Sequence, residues 1–226
     1  MEITISYLLI IISLVITLAA QLFVSSSYSK YKKVVNRKRI SGAEAARIIL
    51  DRNGLKDVKV RRINGYLSDH YNPSTKTINL SYVNYENDSV GAVAVACHEC
   101  GHAIQDKVGY TFMRIRAALV PLVNFSSYAG YFAILLGCIF NSLNLIWIGI
   151  FAEIIILLFQ IITLPVEIDA SKRAIKELEK YDLLDNNEIS GGKTMLTAAA
   201  LTYVASVATT IIQILRLILL FGRDER

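Results

Sequence analysis

Four apolar stretches, at residues 3–24, 117–140, 145–166 and 197–221, limit what this chain of 226 residues can fold into. Each matches the roughly 20 helical residues that cross a bilayer. Hydrocarbon offers backbone N–H and C=O groups no partner, so such segments cross it as helices that satisfy themselves. They also account for a hydrophobic share of 54% and a mean hydropathy of +0.43, both high for a soluble protein. The first stretch is longer than a signal-peptide core and lacks a basic leader. Although Ser25-Ser26-Ser27 resembles a weak cleavage site, the segment reads as a retained anchor. The fourth carries several Ser and Thr residues and Arg216, a composition suited to lying partly against protein.

Between these stretches the basic residues are unevenly placed. Residues 25–116 hold 16 Lys and Arg and residues 167–196 hold 5, while the leader and the turn at 141–144 hold none. The positive-inside rule then puts both charged segments in the cytoplasm and both termini outside. Much of the formal charge of +5 is thus a topology signal. The cluster Lys30, Lys32, Lys33, Arg37, Lys38 and Arg39 follows the first span directly and suits anionic lipid headgroups. That juxtamembrane position makes nucleic acid a poor partner. The expected organisation is an anchor over 1–25, a cytoplasmic domain over 26–116, a membrane hairpin over 117–166, a cytoplasmic segment over 167–196, and a last span with its tail over 197–226.

The largest soluble piece has readable elements. Ser41 can cap a helix through Ala43 and Leu50, which Asn53-Gly54 would stop. Residues 58–63 alternate apolar with basic residues and read as a half-buried strand, with Asn64-Gly65 as a turn. Residues 71–76 form a second turn, and 77–81 alternate again. A helix over 89–107 follows. Helix, small sheet and helix in this order fit a minimal zincin-like domain. In such a domain Thr77 to Ser81 is the candidate exposed edge for a substrate strand, with ordinary sheet pairing as the competing reading.

That last helix contains His98-Glu99-Cys100-Gly101-His102, with two of the three histidines of the chain. Residues four apart share a helix face, so both imidazoles can address one metal ion. At about 100° per residue, Glu99 falls beside that face, able to reach a water held there without being a ligand. Imidazole suits zinc, and zinc brings the pKa of a bound water to about 7. The flanks, Val90 to Cys97 and Ala103 to Gln105, are uncharged, as in a buried helix that holds polar ligands. The pattern is that of a metallopeptidase.

A catalytic zinc site keeps three protein ligands and one open position. No histidine follows His102, so the remaining candidates are His70 and a distant carboxylate. Glu167 is favoured, because the third span returns to the face from which His102 departed. A plain interfacial charge is the alternative. Asp169 is a supporting partner, and Asp106 can orient a ligand imidazole or simply end a solvated helix.

Residues 65–73, Leu80-Ser81, Ala92 to Gln105, Leu164 to Ser171 and Ala198 to Ala205 together resemble the YugP-like membrane zinc metallopeptidases of bacteria. The layout is also similar to the HtpX and Ste24 peptidases, where a membrane hairpin separates HExxH from a Glu-containing motif. The resemblance covers essentially the whole chain. It implies a gluzincin-type site with His98, His102 and Glu167 on one Zn2+ and Glu99 as base. It also implies an α+β membrane protein, mostly helical, with about four transmembrane helices. One departure stands: the HtpX-type motif has Asp four residues after its Glu, where this chain has Ser171.

The leading expectation is a cell-membrane, multi-pass zinc endopeptidase with its site on the cytoplasmic side, acting on membrane-associated protein or peptide substrates. A site-2-type intramembrane protease is a second reading, opposed by the early Asp106-Lys107 and the missing Leu-Asp-Gly motif. A non-catalytic scaffold with a structural zinc is a third, but such a site normally closes with four ligands. His70 and Tyr203 are candidates to stabilise an oxyanion. Cys97 and Cys100 form a CxxC, but both point away from the histidine face and read as packing residues. Cys138 lies in the second span without an evident partner. Glu153 and Arg216 are charges inside spans, which could pair with each other.

Overall fold

The computed structural model describes residues 2–222; Met1 and the end of the expected C-terminal tail, 223–226, lie outside them. The elements in chain order are α1 (Glu2–Tyr31), α2 (Gly42–Arg52), β1 (Lys59–Ile63), β2 (His70–Asn72), β3 (Thr77–Ser81), α3 (Tyr82–Glu86), α4 (Val90–Lys107), α5 (Thr111–Ile139), α6 (Leu143–Lys180) and α7 (Asn186–Phe221). The chain is mostly helical with one small sheet. Four of these helices, α1, α5, α6 and α7, are long and apolar enough to cross a membrane. The chain divides into two compact units, one of residues 1–21, 114–164 and 201–226, the other of 22–113 and 165–200.

The first unit is the membrane unit, built from parts of those four helices. Lipid tails give apolar side chains no reason to leave them, so helices associate in lipid through close packing of small residues. Here α5 and α6 do so. A Cβ at Gly130 would lie 2.7 Å from the Ala152 methyl, and one at Gly149 would lie 2.3 Å from Ile134. Toward α7, Ile146 and Ile150 bury against Ile214 and Leu217. Glu153 and Arg216 share no ion pair, and the Arg216 Nε has no hydrogen-bond partner among the described residues. The expected pairing of these two charges is therefore absent.

The second unit has a continuous core in which α2 and α4 pack over the sheet. Ile49, Leu50, Val58, Ile78 and Leu80 are fully buried. Helix α2 begins with a complete capping box, Ser41 and Glu44 each satisfying the other's backbone N–H. Helix α4 begins at Ser89, whose hydroxyl accepts from the Ala92 N–H at 3.1 Å. The end of α6 contributes Val166, Ala170, Ala174 and Leu178, a stripe at four-residue spacing that is 0–1% exposed.

The sheet departs from expectation. Its order is β1-β3-β2, with β1 parallel and β2 antiparallel to β3. Thr77–Ser81 is therefore the central strand, and its backbone is not an open edge for substrate. The reason is β2, three residues long, which falls where a turn was expected. It pairs His70 with Asn79 and Asn72 with Thr77. The open edges are β1 and β2.

Candidate metal centre

The centre lies wholly within the second unit and starts from a close approach of two helices. On α4, His98 and His102 are one turn apart, with ring centroids separated by 4.7 Å. Opposite them runs the part of α6 that carries Glu167. Gly101 permits this contact: a Cβ there would lie 2.4 Å from the Ala170 carbonyl oxygen. The motif glycine thus lets α4 and α6 touch through their backbones. A chain of aliphatic residues at this contact would hold the carboxylate away from the imidazoles.

As a result, the Glu167 Oε2 lies 3.3 Å from the His98 Nε2 and 3.7 Å from the His102 Nε2. Among the described residues, these three form the one His/Cys/Asp/Glu group whose ligand atoms all lie within 4.8 Å of one another. Tetrahedral zinc with bonds of about 2.0–2.1 Å sets its ligand atoms about 3.3 Å apart, so the spacing fits that ion. His70 is elsewhere. Its ring sits between the Ser68 carbonyl and the Asn79 amide on the exposed side of β2.

Second contacts fix the rings. The buried Gln105 amide nitrogen donates to the Val166 carbonyl and to Asp169, each at 2.8 Å. Its Oε1 therefore faces the His102 Nδ1 at 3.0 Å. That nitrogen therefore donates, and in the neutral ring the Nε2 left facing Glu167 is the one free of a proton. Asp169 in turn accepts from the Arg173 Nε at 2.6 Å. On the other histidine, the His98 Nδ1 lies 3.1 Å from the Ser171 hydroxyl. Ser171, the position at which the sequence departs from the HtpX-type pattern, thus touches one imidazole, while Asp169 reaches the other through Gln105.

Asp106 has a different place. It accepts from the Tyr71 hydroxyl at 2.7 Å and pairs with Lys76, tying the end of α4 to the sheet. Tyr203 belongs to the membrane unit. Cys97 and Cys100 are fully buried, the latter with its thiol 3.6 Å from the Ala46 carbonyl.

Electrostatics bind the cluster together. Burial alone would pull the His102 imidazole down, but hydrogen bonding to Glu167 and the negative charges of Glu99 and Glu167 outweigh this and raise it. Such an arrangement holds positive charge well, which a divalent cation would supply in place of a proton. Glu99 is 7% exposed and lies close enough for its negative charge to act on the His102 imidazole.

Gln105 and Ser171 were missed from sequence as functional residues. Gln105 had one available signal, its place three residues after His102 on the same helix face. Ser171 had only the resemblance, which marks its position as that of the HtpX-type Asp, since its partner lies 73 residues away.

Two imidazoles whose Nε2 atoms converge on one carboxylate, with the Glu99 charge acting on His102, make a donor set suited to zinc. The chain belongs to the family described as "Putative neutral zinc metallopeptidase", which matches residues 6–222. A curated relative, "Putative membrane protease YugP" of Bacillus subtilis (strain 168), is 43% identical over 208 residues, or 91% of this chain and 92% of the relative. No solved structure matches the chain.

Proposed function

We propose that this protein is a membrane-embedded zinc endopeptidase that hydrolyses peptide bonds in membrane or membrane-proximal proteins. His98, His102 and Glu167 would hold one zinc ion per chain, and Glu99 would act as general base. The observation that carries this reading is the convergence of three ligand atoms, with the Glu99 charge close enough to act on His102. Zinc in such a site supplies a Lewis acid and a water that ionises near neutral pH. Glu99 accepts a proton from the water as its oxygen bonds to the scissile carbonyl carbon. Glu99 then returns that proton to the amide nitrogen as the C–N bond breaks. Gln105 and Ser171 hold the two imidazoles in the orientation this requires.

The distribution of Lys and Arg supports a cytoplasmic site. Against an intramembrane protease of the site-2 type stands α4 itself, which is not among the four helices suited to crossing a membrane. Against a closed structural zinc stands the donor count, three among the described residues.

Glu99→Gln tests the reading directly. We expect the purified variant to keep about one zinc per chain and to lose peptide hydrolysis by at least about 100-fold, the usual worth of a general base. Unchanged hydrolysis in Glu99→Gln would remove Glu99 from the reaction. Absence of zinc from the wild type would remove the enzyme reading altogether.

A further inference from the structure

We propose that the loop between β1 and β2, residues 64–69, rests in the headgroup layer of the bilayer through Tyr66 and Leu67 and is held there by anionic phospholipid. Helix α1 is long and apolar enough to cross a membrane, and its apolar stretch ends at Val24. Four residues on, Tyr28 stands about 6 Å further along the helix axis, inside a headgroup layer about 5–8 Å deep. The loop is fastened to that point. Tyr66 packs edge-on against the Tyr28 ring, with centroids 5.7 Å apart. The Tyr28 hydroxyl donates to the Asn84 Oδ1 at 3.3 Å, and the Asn84 amide donates in turn to Asp69, at the end of the loop, at 2.8 Å. All of these residues belong to the second unit.

What this end of the unit presents suits that layer. Between residues 40 and 107, the large apolar side chains left exposed are Tyr66, Leu67 and Tyr82. They gather at one end of the sheet: Ile63 of β1 pairs with Ser81 of β3, the loop follows Ile63, and Tyr82 follows Ser81. Leu67 is 58% exposed and holds a φ of 54°, a left-handed conformation that a residue with a side chain rarely adopts. The protein gives that side chain little to pack on. Charge narrows the kind of lipid. Of the six basic residues from Lys30 to Arg39, the last three are engaged: Arg37 pairs with Asp185, Lys38 with Asp182 and Arg39 with Asp88. Lys30, Lys32 and Lys33, nearer the span, have no ion pair among the described residues. The Lys32 ammonium lies 5.7 Å from the Tyr28 ring centroid and 5.6 Å from that of Tyr66. A headgroup phosphate that reaches Lys32 therefore also meets the loop. Tyrosine is enriched where membrane meets water, and basic residues there attract anionic lipid. The inference rests on α1 as a span and is independent of the zinc chemistry.

The test uses the full chain carrying Cys138→Ser, in vesicles of phosphatidylcholine with and without phosphatidylglycerol. One fluorophore is attached in turn at Leu67→Cys, at Ser74→Cys beyond the opposite end of the sheet, and at Leu14→Cys within the apolar stretch of α1. The native Cys97 and Cys100 are buried and stay unlabelled. A nitroxide on the lipid headgroup should quench the label at Leu67→Cys strongly and the same label at Ser74→Cys little. Phosphatidylglycerol should raise the quenching at Leu67→Cys. Lys32→Gln should undo that rise, lowering the ratio of seated to lifted loop about fivefold, the usual worth of one lysine near an anionic surface. Equal headgroup quenching at residues 67 and 74 overturns the proposal, as does a Leu67→Cys signal indifferent to phosphatidylglycerol. A Lys32→Gln loss of the same size in both kinds of vesicle makes Lys32 a packing contact and overturns the role of anionic lipid. A Leu14→Cys label that escapes a nitroxide deep on the acyl chain removes α1 as a span, and the proposal with it. A protein that binds no zinc yet gives the expected signals supports the loop contact and counts only against the peptidase reading.

Discussion

A methyl group added at Gly101 would meet the Ala170 carbonyl oxygen at 2.4 Å, and neither helix backbone can yield without moving a ligand. Gly101→Ala is therefore expected to cost about 1–3 kcal/mol of stability through overpacking and to weaken zinc binding at least about tenfold. Thermal denaturation and chelator competition would show both, and wild-type zinc affinity in this variant would contradict the close contact. Gln105→Leu addresses orientation instead of approach. Without its amide, the His102 Nδ1 proton loses its acceptor, and zinc affinity should fall by about 10–100-fold, with little change in fold. Both histidines and Glu99 are legible in the sequence because they lie within five consecutive residues at helical spacing. The glycine between them reads as filler until Ala170 is seen behind it. Glu167 is reachable only from where a hairpin returns or from the resemblance, and the role of Ser171 is not local, since it depends on a ring 73 residues away.

Helices and their starts are the more legible elements, because caps and periodicity are local. Ser41 with Glu44, and Ser89 with the Ala92 N–H, start α2 and α4 where the sequence indicates. Sheet order is not local, and the pairing of β3 on both sides reverses the expected edge. Helix α4 also settles the CxxC pair. Burial pushes the Cys97 and Cys100 thiols far above their ordinary range, with nearby acidic groups adding to the effect. Neither forms thiolate at pH 8, and neither is accessible. Alkylation of native protein with a maleimide, read by mass spectrometry, should modify Cys138 alone, and all three cysteines after denaturation. Rapid native labelling of Cys97 or Cys100 would contradict the packing of α4.

At the scale of the whole molecule, four crossings by the candidate spans would put both ends of the chain on one side of the membrane, and the basic segments are expected to decide which. Alkaline phosphatase fused at the C-terminus should be active and a green fluorescent protein fused there dark, with the reverse pattern for fusions near residue 90. The opposite result would invert the orientation and leave the metal centre on the outer face. The spans themselves are legible from composition, whereas their packing is not, because it depends on which faces of α5, α6 and α7 meet.

The two halves of the donor set are separated by 65 residues, by α5 and by the part of α6 before Glu167. Synthesis runs from the N-terminus, so His98 and His102 emerge long before Glu167. Until the hairpin has been made, a growing chain has two imidazoles and no carboxylate to complete the set. On the proposed function, a nascent chain that ends before residue 167 would hold zinc weakly and lack hydrolytic activity, so the order of synthesis itself would delay the chemistry until α6 has been made.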